Sequence, residues 1–117
     1  MTMALRILIV EDEMTIALLL EDMVVDLGHD VAGLAMRLPQ ALDMARTAAI
    51  DFAILDVNLD GRMSFPVADV LAARGVPFVF ATGYGRAGLD PGYKDAPVIS
   101  KPFDLASLRS AIEGAGA

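Results

Sequence analysis

The sequence predicts an α/β fold, a parallel sheet with helices on both faces, and three observations predict it. Three predominantly apolar runs, Leu5–Val10, Phe52–Leu55 and Val76–Ala81, have the hydrophobicity of strands buried on both sides. Between them, apolar residues recur at helical spacing. The two patterns alternate along the chain, and right-handed crossovers of such units give a doubly wound sheet.

Each element has its own local signal. After the first run, Ile16, Leu19, Leu20, Met23, Val24 and Leu27 mark the inward face of a helix, and Gly28 stops it. Val31–Met36 is a weaker second strand. Pro39 starts a second helix, with Ala41, Leu42 and Ala45 facing in. A third helix runs from about Pro66 to Arg74 and carries Val67, Val70 and Leu71. Pro97–Ser100 is a short fifth strand. Asp104 is placed to cap a last helix whose inward residues are Leu105, Leu108 and Ile112. The segment Gly83–Ser100 is rich in Gly and Pro, which costs a helix interior up to about 3 kcal/mol per Pro. A fourth helix is therefore expected to be short or irregular, with a turn near Arg86–Leu89.

Composition narrows the function. The 117 residues suit one domain, 1–117, and 56% of them are hydrophobic, which fills a core. The net charge of -7 and the scattered Lys and Arg argue against direct nucleic-acid binding. There is no Cys, and His29 is the only His, so thiolate chemistry and multi-His metal sites are excluded. The apolar run at the N-terminus is too short for a signal peptide or a membrane span, so cytoplasmic residence is expected.

Ligands of doubly wound sheets sit beyond the carboxyl ends of the strands. The first strand ends in Glu11, Asp12 and Glu13, the third in Asp56, the fourth in Thr82 and the fifth in Ser100, Lys101 and Pro102. In a five-stranded sheet of order 2-1-3-4-5 these ends converge. Glu11, Asp12 and Asp56 would repel one another unless protonated or bridged by a cation. Oxygen ligands without His or Cys suit Mg²⁺. With the Lys101 ammonium and the Thr82 hydroxyl, they are the parts needed to transfer a phosphoryl group to an aspartate. Each residue alone reads as an ordinary turn or surface side chain, as Glu13 does. The force is joint, because four suitable groups end four strands.

The segments ILIVEDE, DFAILDVNLDG, VPFVFATGYG and VISKPF, taken together, resemble the receiver domains of two-component response regulators. The third resembles the group of receivers with a Phe-Ala-Thr-Gly-aromatic motif, here Phe80 to Tyr84. The resemblance covers essentially the whole chain and implies a flavodoxin-like fold. It implies that Asp56 is the phosphoacceptor, and that Glu11, Asp12, Asp56 and the backbone carbonyl of Asn58 hold Mg²⁺. It implies that Thr82 and Lys101 bind the phosphoryl group, and that Asn58 and Tyr84 tune its loss. It also implies a cis peptide before Pro102. Gly83, lacking a side chain, would leave the approach to Asp56 open.

The chain departs from the family in two places. Many receivers carry an aromatic residue three positions before the Lys, where this chain has Val98, so the usual coupling of that ring to Thr82 cannot operate in its common form. Tyr84 and Phe103 are candidate substitutes. The Gly- and Pro-rich segment after Thr82 is the other departure.

The expected function is two-component phosphorelay signalling by a regulatory domain that is not an enzyme, in the form of a single-domain response regulator. The expected phosphoryl donor is a histidine kinase or histidine phosphotransfer protein, and the downstream protein partner is unspecified. Neither nucleic acid nor membrane is expected as a partner, and the chain should be a monomer or weak dimer. Met14, Leu18 and Val25 point away from the inward face of the first helix and form a candidate docking stripe for the donor. An aspartate-nucleophile phosphatase is the enzymatic alternative, but such enzymes need a second Asp where this chain has Asn58. A degenerate receiver is disfavoured by Glu11, Asp12, Asp56, Thr82 and Lys101.

Overall fold

The computed structural model describes residues 4–83, 85–101 and 104–116. In chain order the elements are β1 (Arg6–Val10), α1 (Met14–Asp26), β2 (Asp30–Ala35), α2 (Leu38–Thr47) and β3 (Phe52–Asp56). Then come β4 (Asn58–Leu59), β5 (Arg62–Met63), α3 (Phe65–Ala73), β6 (Phe78–Thr82), β7 (Val98–Ser100) and α4 (Leu105–Gly116). Five strands pair in parallel in the order β2-β1-β3-β6-β7, the topology expected from the strand-helix alternation.

The sheet splits the core in two because successive side chains of a strand point to opposite faces. Leu8, Val10, Ala53, Leu55 and Phe80 pack on one side with Ala41 and Ala45 of α2 and Val67 and Leu71 of α3. Ile7, Ile9, Phe52, Ile54, Val79 and Ala81 pack on the other with Leu20 and Val24 of α1 and Leu108 and Ile112 of α4. Every residue of β3 is buried, which explains why its sequence shows no alternation.

The helix ends follow simple chemistry. Asp104 Oδ1 accepts the Ser107 N–H at 2.8 Å and so caps α4. Gly75, with φ of 72°, ends α3 in a left-handed turn, and the Val76 N–H then donates back to the Leu71 carbonyl. Val76 therefore closes a helix, and β6 begins two residues later than its apolar run. From α3, the Arg74 guanidinium donates to the carbonyls of Ala45 and Ala48 at the end of α2.

One expected inward residue lies outside. Leu19 is 49% exposed, and Ala17 is fully buried in its place. Successive helical residues turn by about 100°, so Leu19 falls well off the face centred on Leu20, whereas Ala17 stays within it. Among the described residues, the segment between β6 and β7 holds no α-helix. Two short 3₁₀ turns, Gly85–Gly88 and Pro91–Tyr93, take its place, in line with the Gly and Pro content.

Leu20→Ala should cost about 2–5 kcal/mol of unfolding free energy. Leu19→Ala should cost less than about 1 kcal/mol. Urea titration of the two variants distinguishes these positions, and equal losses would contradict the assignment of the α1 face.

Candidate functional site

The carboxyl ends of β1, β3, β6 and β7 border an open cleft of about 580 Å³. Asp12, Asp56, Asn58, Thr82, Gly83 and Lys101 all line it. One carboxylate oxygen from each of Glu11, Asp12 and Asp56 lies within 4.8 Å of the others. Of the three, Glu11 is the deepest, only 1% exposed and set behind the cleft lining. Its Oε2 accepts the Glu13 N–H at 3.2 Å, at the entry to α1.

Lys101 closes the arrangement. Its Nζ is 3.0 Å from Glu11 Oε1 and 3.3 Å from Asp56 Oδ2, so one ammonium serves two buried carboxylates. The Lys101 N–H also donates to the Thr82 carbonyl at 2.9 Å, which locks the ends of β6 and β7 together. Thr82 is itself buried.

The charges are unevenly shared. Burial, then hydrogen bonding and repulsion from Glu11, push Asp56 up to about 7, against the pull of Lys101. For Asp12, burial works against ionisation. Hydrogen bonds with Glu11 and Asp56 and from the Asp60 backbone outweigh it and hold Asp12 below the usual carboxylate range. For Lys101, burial favours the neutral amine, but the hydrogen bond to Glu11 and the attraction of Asp56 prevail and raise it. Three crowded oxygen ligands, one of them reluctant to ionise, fit a hard divalent cation such as Mg²⁺. Such an ion would relieve the repulsion that loads Asp56.

A small hairpin, absent from the sequence-based expectations, forms one wall of the cleft. Strands β4 and β5 pair antiparallel across Asp60 and Gly61, both at positive φ, 53° and 87°. A two-residue turn of this hand favours the Asp-Gly pair, which was the readable signal. The Asp60 N–H donates to Asp12 Oδ2 at 3.0 Å, tying the hairpin to the acidic cluster. Asn58 Oδ1 accepts the Gly61 N–H at 2.7 Å, so this side chain holds the turn as well as lining the cleft. At Gly83 an added Cβ would meet nothing within 4 Å, so a side chain there would project into open space at the cleft.

Tyr84, Pro102 and Phe103 lie outside the described residues. Met14, Leu18 and Val25 are exposed, at 49%, 49% and 61%. The aromatic residue that sequence reasoning missed is Tyr93. It stacks on Phe65 at 5.8 Å and meets Phe80 edge-on at 5.5 Å.

The raised Asp56 carries a stability consequence. Between pH 3.8 and about 7 the folded chain holds a proton on Asp56 that the unfolded chain has lost, so Asp56's contribution to stability falls as pH rises through this window. Asp56→Asn removes that cost and also the attraction of Lys101, leaving a net gain of roughly 1–3 kcal/mol at pH 8 that fades towards pH 4. Thermal unfolding of metal-free protein at both pH values measures it, and a variant no more stable than the parent at pH 8 would contradict the placement of Asp56.

Residues 7–113 match the family described as response regulator receiver domain. PhyR, the phyllosphere-induced regulator of Methylorubrum extorquens, is 38% identical over 97% of this chain and 44% of its own length. The chain spans about half the length of the curated relatives it matches. The solution structure of SdrG from Sphingomonas melonis Fr1 superposes with a TM-score of 0.88 at 42% identity, covering 100% of both chains. The BeF3-activated conformation of SdrG from Pseudomonas melonis Fr1 superposes at 0.79, with 44% identity over 96% of this chain and 97% of that one. The chain belongs to the response-regulator receiver-domain family.

Proposed function

We propose that the domain accepts a phosphoryl group on Asp56 and thereby switches a protein contact. The observation that carries this reading is the Asp56 carboxylate at the cleft, grouped with Glu11 and Asp12 within 4.8 Å and 3.3 Å from the Lys101 ammonium. A carboxylate so placed has a cation site on one side and a fixed positive charge on the other.

Glu11, Asp12, Asp56 and the Asn58 carbonyl are the proposed holders of Mg²⁺, which when bound neutralises charge on the transferring group and lets Asp56 ionise. One Asp56 oxygen forms the new P–O bond while the P–N bond of a phosphohistidine breaks and its electron pair stays with the imidazole. Lys101 exchanges part of its pairing with the carboxylates for the phosphoryl oxygens, and Thr82 donates its hydroxyl to them. Asn58 and Tyr84, two residues beyond Asp56 and Thr82 in the sequence, are the proposed tuners of the loss of the group.

The BeF3-activated SdrG supports this reading, since beryllofluoride is a tetrahedral mimic of a phosphoryl group on a carboxylate. The donor is a histidine kinase or histidine phosphotransfer protein, docking on Met14, Leu18 and Val25. These three lie along one exposed side of α1, starting beside the acidic cluster. The proposed location of the domain is the cytoplasm. Among the described residues no helix is long and apolar enough to cross a membrane.

With acetyl phosphate and Mg²⁺, the intact protein should gain the mass of one phosphoryl group, and Asp56→Ala should gain none. An adduct that persists in Asp56→Ala would reject Asp56 as acceptor. Leu18→Asp should slow transfer from a phosphohistidine donor protein at least about tenfold while leaving acetyl phosphate unaffected, a loss of about 1.4 kcal/mol at the interface. Equal loss with both donors would reject the docking stripe.

A further inference from the structure

Tyr93 grips two parts of the molecule at once. Its ring meets Phe78 and Phe80 of β6 edge-on at 6.0 and 5.5 Å, and stacks on Phe65 at the start of α3 at 5.8 Å. Its hydroxyl donates a short hydrogen bond to Asp69 of α3. The backbone around it is braced too. Asp90 accepts the Gly92 N–H through its side chain and the Tyr93 N–H through its carbonyl. Val98, the strand position opposite Phe80, offers no ring, so this aromatic cluster is completed from the segment between β6 and β7.

The position relative to the cleft matters. Phe78, Phe80 and Thr82 alternate along β6 and so share one face of the sheet. Tyr93 therefore packs on the face to which Thr82 belongs, one strand repeat below it. In the observed arrangement Lys101 pairs with Glu11 and Asp56, and the Tyr93 hydroxyl pairs with Asp69. A phosphoryl group on Asp56 would compete with the carboxylates for the Lys101 ammonium and so load the end of β6 to which Lys101 is bonded. A shift of β6 relative to α3 would strain the contacts of this ring to both.

We propose that the Tyr93–Asp69 hydrogen bond is a latch that holds the segment 85–96 against α3 in the resting domain and opens when Asp56 is phosphorylated. The inference rests on Asp56 being the acceptor and adds how its state is read out. Opening frees the hydroxyl and the Asp69 carboxylate together, changing the surface between α3 and the two 3₁₀ turns. Burial, with the neighbouring Asp69 and Asp90 carboxylates, pushes the Tyr93 phenol up to about 12, so it remains a donor at neutral pH.

A bond present in one state alone biases the equilibrium between the two, and its removal must tighten every ligand of the other state. The test is titration of the intact chain with beryllofluoride in the presence of Mg²⁺, followed by fluorine NMR, for the wild type, Tyr93→Phe, Asp69→Ala and the double variant. Tyr93→Phe keeps the ring and its packing, and Asp69 is exposed, so each single variant probes the bond from a side that leaves the core intact. Each single variant should bind beryllofluoride about three- to tenfold more tightly while unfolding at a lower temperature, and the double variant should bind no more tightly than either. A merely structural bond lowers stability and leaves affinity alone. Unchanged or weaker binding by Tyr93→Phe, or gains that multiply in the double variant, overturns the latch while the acceptor reading stands. If the wild type fails to bind, or an Asp56→Ala control binds as tightly as the wild type, the acceptor reading falls and takes the latch with it.

Discussion

One ammonium group holds the functional end of this molecule together. Glu11 and Asp56 are both buried at the ends of neighbouring strands, and Lys101 reaches both from β7. Two buried carboxylates without a cation would be strongly destabilising, and removing one partner of such a set leaves an uncompensated charge. The compensation is partial, because Asp56 still rises to about 7. That residual strain is what a cation bound between the carboxylates would relieve. A fully neutralised site would have no reason to take a cation, and an uncompensated one would not stay folded.

The remaining architecture serves this end. The parallel sheet brings four strand termini to one edge, and the two cores on its faces hold them there. The Asp60–Gly61 hairpin adds a wall that is also an anchor, since its backbone donates to Asp12. Asp12 is therefore set by two separate constraints, its place after β1 and the turn opposite. Rigid positioning of acidic oxygens is the condition for octahedral selectivity, because Mg²⁺ tolerates little distortion.

Much of this was legible from the residues. Predominantly apolar runs marked the strands because β3 and its neighbours are covered on both faces, and residues at the ends of those runs became the cleft. Four things were less legible, each for a physical reason. Leu19 is as hydrophobic as Leu20, so composition could not reject it; only its angle around α1 does. The hairpin strands are two residues long, too short to show alternation, although Asp60-Gly61 advertised the turn. Tyr93 sits in a stretch without periodicity, and its partners Phe65, Asp69, Phe78 and Phe80 are brought to it only by tertiary packing. The dual role of Lys101 likewise required the depth of Glu11, which no sequence pattern encodes.

Arg74 gives the α2–α3 side of the sheet a mechanical character. Its guanidinium bridges the carboxyl-terminal ends of α2 and α3 through the carbonyls of Ala45 and Ala48. Those ends lie far from the cleft, since each helix starts where a strand finishes. The two helices are thus tied directly to each other, by one side chain, at the ends remote from the cleft. A load on α3 at that end therefore passes into α2 through the Arg74 guanidinium.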